Sequence, residues 1–133
     1  AKQRQALNMA VAESKHKVNL LQSTPNLVLE FLKHDLVICG GGTMLYELAA
    51  LGIPSMCIAT EPHEILNMEY WASQGTTMAA GCEKHLGAES MAGNLSTVLE
   101  DRKLRIRMSA KGQKVMDPNG VQRVLTIIAE VLK

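Results

Sequence analysis

Aromatic side chains are nearly missing: Phe31, Tyr46, Tyr70 and Trp71 are all that 133 residues contain. Stacking on bases, the usual grip on single-stranded nucleic acid, has little to draw on. An excess of one charge is missing too. Fourteen Lys and Arg stand against 13 Asp and Glu, a net +1, which argues against a generic nucleic-acid binder, since that would carry a basic face. No apolar run approaches the roughly 20 residues of a membrane span. The opening Ala1-Lys2-Gln3-Arg4-Gln5 lacks the apolar segment of a signal peptide. Cysteine is sparse and odd in number: Cys39, Cys57 and Cys82, with no Cys-x-x-Cys. Cys39 and Cys57 fall inside apolar runs and read as reduced core thiols of a cytoplasmic protein. His16, His34, His63 and His85 have no ligand spacing with them, so no metal site and no cofactor is expected.

What is present is a chain with 47% hydrophobic residues, enough to exclude disorder, and a length that suits one domain over 1–133. Its organising stretch runs from Asp35 to Ser55. Leu36 to Cys39 is a short apolar run that reads as a buried strand. Gly40, Gly41 and Gly42 follow, then a helical run with Leu45, Leu48 and Ala49 on one face. Gly52 is placed as a helix-ending C′ residue, and Pro54 starts the next strand, Ser55 to Ala59. Strand, glycine turn, helix and strand make one parallel crossover, with the turn where open α/β sheets bind ligands. The glycines permit positive φ and close approach of a ligand to the backbone. Thr43 is the expected N-cap, and the free amides behind it favour an anion such as a phosphate or diphosphate. Glu47, one turn into the helix, could accept hydrogen bonds from a ribose diol. The plain alternative is a tight βα turn with Glu47 offsetting the helix dipole.

The flanks read as alternating helices and strands. Ala1 to about Ser14 is an uncapped helix, which suggests chain further upstream. Val18 to Leu21 is a short strand candidate. Asn26 caps a helix through Leu27, Phe31 and Leu32. Thr60 to Glu64 is a polar loop at the carboxyl end of a strand, leading into a helix from about Glu64 to Ser73. Thr76 to Ala79 is a strand, and Gly81 to Gly87 a loop. Helices follow over Ala88 to Glu100, Asp101 to Met116 and, after the turn Asp117-Pro118-Asn119-Gly120, from Val121 onward. The fold class is α/β and Rossmann-like: a mostly parallel sheet of about four strands with helices on both faces.

The motifs Gly41-Gly42-Thr43 with Tyr46-Glu47, Ala49-Ala50-Leu51-Gly52-Ile53-Pro54 and His63-Glu64-Ile65-Leu66-Asn67 carry a resemblance. The stretch Asp35 to Gly75 resembles the C-terminal, donor-binding half of GT-B glycosyltransferases. Within them it is most similar to the UDP-sugar hydrolases of pseudaminic acid synthesis and the related spore-coat polysaccharide proteins. It is more distantly similar to the N-acetylglucosaminyltransferase of peptidoglycan synthesis. The resemblance implies that Gly41, Gly42 and Thr43 face the diphosphate of a UDP-sugar and that Glu47 holds the ribose. It implies that Ser23 and Thr24 lie along the uracil, and that His63, Glu64 and Asn67 lie near the sugar or phosphates. The family usually has Gln at the position of Glu64, and a carboxylate there cannot donate a hydrogen bond.

No catalytic residue is assigned within this chain, because the resemblance places those groups on an N-terminal domain that has no counterpart here. The first two strands of the C-terminal half are also missing. In a sheet ordered 3-2-1-4-5-6 they would lie between Val18–Leu21 and Leu36–Cys39, so an edge is left open unless those two pair directly. An open edge invites another chain, whether a partner subunit or a second copy. Three functions follow: the donor-binding domain of a UDP-sugar hydrolase or glycosyltransferase, a non-catalytic nucleotide-sugar-binding subunit that works only with a partner chain, or a plain α/β scaffold.

Overall fold

The computed structural model describes residues 2–133; Ala1, at the head of the expected first helix, lies outside the described residues. The elements in order are α1 (Lys2–Glu13), α2 (Leu27–Phe31), β1 (Val37–Cys39), α3 (Met44–Leu51), β2 (Ser55–Ala59), α4 (Pro62–Ser73) and β3 (Thr77–Cys82). A single 3-10 turn at Glu83–His85 leads to α5 (Ala88–Glu100), α6 (Arg102–Val115) and α7 (Gly120–Val131).

The sheet is parallel, ordered β1-β2-β3, with Val37 beside Ser55, Ile38 beside Met56 and Cys39 beside Cys57. Right-handed crossovers in one direction put α3 and α4 on one face. That face carries the core: Cys39, Cys57 and Ala59 pack with Leu45, Leu48 and Ala49 of α3 and with Met68 and Trp71 of α4. Met56 and Cys57 point to opposite faces of β2 and both are 0% exposed, so the central strand is covered on both sides. The α3 helix ends as its sequence demands. Gly52 is left-handed at φ +68°, and its amide donates to the Ala49 carbonyl. Asn26 caps α2, its side-chain oxygen accepting from the Leu29 amide at 3.1 Å.

Among the described residues the sheet has three strands, not about four. Val18 to Leu21 forms no strand; Val18, Leu20 and Leu21 are 43%, 46% and 67% exposed. The run is β-prone, but strands persist only when paired, and nothing among the described residues pairs with it or with the outer side of β1. The last strand runs on to Cys82 where the sequence suggested a loop. Register skips one residue, Cys57 pairing with Ala79 and Ile58 with Gly81, and Gly81 takes φ +121° to let the strand resume beyond the bulge. Peripheral helices are poorly anchored. None of the residues of α1 is buried, and none of α7, although Val121, Val124, Leu125, Ile128, Val131 and Leu132 have the expected helical spacing. They are 48% to 80% exposed.

Candidate functional site

Two helices begin side by side at the carboxyl end of the sheet. The glycine turn leads from β1 into α3, and Thr60-Glu61 leads from β2 into α4. In a parallel sheet this is the end where orphan amides of successive helices converge.

The glycines are required by close approach rather than by positive φ. None of Gly40, Gly41 and Gly42 has positive φ. Gly41 is buried, and a Cβ there would lie 2.7 Å from the Glu64 Cβ and 2.8 Å from the Glu64 carbonyl oxygen. Thr43 occupies the expected N-cap position but does not cap. Its backbone is already helical at φ −62°, ψ −22°, and its side chain makes no capping hydrogen bond. The Leu45 amide donates to the Gly42 carbonyl, so the chain turns before Thr43 is reached. The Thr43 side chain is left exposed.

Glu64 sits against this turn. Its Oε2 accepts from the Thr60 amide at 2.8 Å, the Thr60 hydroxyl at 2.9 Å and the Glu61 amide at 3.4 Å. As third residue of α4 it reaches back to the residue before Pro62, the geometry of a capping box. Its other oxygen, Oε1, lies 3.6 Å from where a Gly40 Cβ would be and 3.7 Å from that of Gly42. The Thr60 amide and hydroxyl, aided by the amides of Glu61 and Gly41, hold its carboxyl below the usual carboxylate range against a smaller desolvation cost.

Asn67, one turn further, braces the same turn. Its Nδ2 donates to the Gly41 carbonyl at 2.5 Å and to that of Gly42 at 3.4 Å, while its Oδ1 accepts from the Tyr46 hydroxyl at 3.0 Å. Tyr46 also sets its ring edge-on to Trp71, centroids 4.9 Å apart. The Trp71 indole N–H is buried without a hydrogen-bond acceptor.

Glu47 and His63 are exposed on the first turns of α3 and α4. Ser23 and Thr24 lie in the loop before α2, where Thr24 hydrogen-bonds with Asn26. Neither lines the hollow beside the turn, a space of about 340 Å³ bounded by Ile38, Cys39, Gly40, Ile58, Thr60 and Glu83. A larger hollow of about 490 Å³ lies at the other end of the sheet, by Asp35, Pro54 and Arg102, and holds none of the expected site residues. Thr60 and Tyr46 are the residues whose part sequence reasoning missed. The Glu61-Pro62-x-Glu64 spacing was the available signal for the first.

The fold is that of the C-terminal half of GT-B proteins. The chain superposes on a crystal structure of MurG from Acinetobacter baumannii with a TM-score of 0.81, over 97% of this chain and 40% of that one, at 21% identity. It is 23% identical to the spore coat polysaccharide biosynthesis protein SpsG of Bacillus subtilis (strain 168), over 90% of this chain and 35% of that protein. It is 31% identical to the UDP-N-acetylglucosamine--N-acetylmuramyl-(pentapeptide) pyrophosphoryl-undecaprenol N-acetylglucosamine transferase of Pseudomonas fluorescens (strain Pf-5), over 73% of this chain and 28% of that enzyme. No family model matches. The chain thus spans about a third of the length of the curated relatives it matches. No helix among the described residues is long and apolar enough to cross a membrane.

Proposed function

We propose that this chain is the donor-binding half of a glycosyltransferase or UDP-sugar hydrolase. The carrying observation is the convergence of the α3 and α4 starts on one glycine turn, in a fold shared with MurG. In this reading Gly41, Gly42 and Thr43 face the diphosphate. Glu47 takes the ribose hydroxyls and Ser23 and Thr24 lie along the uracil, while His63, Glu64 and Asn67 lie near the sugar or phosphates. Helix amides aimed at the diphosphate would stabilise charge gathering on UDP as it departs, while an N-terminal domain supplies the reacting acid or base. Asn67 contributes by fixing the Gly41 carbonyl, and with it the orientation of the neighbouring amides.

A second reading is favoured by the uncovered apolar side of α7 and the unpaired edge of β1: a binding subunit that acts only when docked to a partner chain. The two share the pocket and differ in where the catalytic groups lie. Calorimetry with UDP and with uridine tests the shared core. UDP should bind and uridine should bind far more weakly, because the diphosphate carries the interaction with the turn. Glu47→Ala should weaken UDP about tenfold, the value of one charge-assisted hydrogen-bond pair. Equal affinity for UDP and uridine would remove the turn from the account.

A further inference from the structure

The glycine turn already has an anion beside it. We infer that Glu64 is the resident counter-anion of this turn, and that a diphosphate enters only as the Glu64 carboxylate takes up a proton. The inference rests on the donor-site reading above and deepens it, making Glu64 the residue that sets affinity for anionic ligands.

Three observations carry it. The carboxylate lies against the turn: Oε1 is 3.6 Å and 3.7 Å from where Cβ atoms on Gly40 and Gly42 would stand, and the Gly41 amide is among the donors that favour its charge. It is held by neutral donors, the Thr60 amide and hydroxyl and the Glu61 amide, which is how a helix start holds a phosphate. No Lys or Arg among the described residues pairs with it. The titratable groups on the elements packed about it are Glu61, the N-cap residue of α4, His63 and Glu47 on the first turns of α4 and α3, Glu83 lining the hollow, and the thiols of Cys39 and Cys57. None of them is a Lys or Arg. A second anion brought against this carboxylate is therefore repelled without a compensating cation. A neutral amide of the same size keeps the acceptor for Thr60 and removes the repulsion.

The test uses the whole chain and UDP-N-acetylglucosamine, whose doubly esterified diphosphate does not titrate between pH 4 and 8. Titrations of wild type and Glu64→Gln are run at pH 7, and then at pH 5 in two buffers of different ionisation enthalpy. Glu64→Gln should bind at least about tenfold more tightly. The wild type should take up protons on binding at pH 5, and Glu64→Gln should not. Binding by both proteins with equal affinity, or weaker binding by Glu64→Gln, overturns the inference and leaves the donor site standing. Binding by neither overturns both. Should Glu64→Gln fail to fold, His63→Gln carries the test: uptake that persists there supports Glu64 as the proton acceptor, and uptake that vanishes assigns it to His63 and overturns the inference.

Discussion

Gly41 and Glu64 meet so closely that a methyl group on the first would fall 2.7 Å from the Cβ of the second. The contact joins the turn before α3 to the first turn of α4, and it explains a glycine at φ values any residue can adopt. Gly41→Ala should therefore cost about 1–3 kcal/mol by forcing the two helix starts apart. Gly40→Ala and Gly42→Ala, whose added carbons would meet Glu64 oxygens at 3.6 Å and 3.7 Å, should each cost under about 1 kcal/mol. Thermal melts of the three variants check the ranking; equal losses would show that the close approach is not what selects glycine.

Asn67 and Tyr46 form the second link between α3 and α4. Asn67→Ala leaves the buried Gly41 carbonyl without its side-chain donor and should destabilise by about 1–3 kcal/mol. Tyr46→Phe loses one hydroxyl bond and should cost about 1 kcal/mol. Because the two share a bond, the double variant should lose less than the sum, measured by denaturant unfolding.

Glu64 makes stability depend on acid. Its carboxyl is held below its ordinary value by the Thr60 amide and hydroxyl, so the folded state favours the ionised form. That contribution is fully present above the unfolded value of about 4.3 and fades as pH falls through the lower folded value. Unfolding followed from pH 7 to pH 3 should show an acid loss that Glu64→Gln flattens. An unchanged acid limb would mean that the bonds from Thr60 do not discriminate the two protonation states.

The cysteines should separate by reactivity. Cys39 and Cys57 are buried neighbours on paired strands, and the hydrogen bond with Cys57 together with burial pushes the Cys39 thiol up. Cys82 ends β3 half-buried. Under native conditions a thiol reagent should modify Cys82 first and leave Cys39 intact until the chain unfolds. Mass mapping of the modified peptides reads the order, and early labelling of Cys39 would contradict the packing.

The legible parts of the fold were those whose signals are local. Strand β1, helix α3 with its Gly52 ending and strand β2 follow from apolar runs punctuated by glycine and proline. Val18 to Leu21 misled because an apolar run records β propensity, while a strand also needs a neighbour to pair with. The extension of β3 was hidden because the bulge depends on pairing with Ile58, a contact 23 residues away in sequence. At the site, the sequence singled out the turn at Gly41 to Thr43, yet the packing of Glu64 against it could not be read. That placement depends on how closely α4 lies to the turn, which sequence spacing does not record. The apolar stripe of α7 was equally plain in sequence, whereas its lack of burial is a property of the tertiary structure alone.

The turn's part in binding is decided most directly by residue-resolved amide shifts under saturating UDP. Movement concentrated at Gly41, Gly42, Thr43 and the first turn of α3, absent with uridine at the same concentration, is the predicted result. Shifts confined to the hollow near Asp35, Pro54 and Arg102, or no shifts at Gly41 to Thr43, would contradict it.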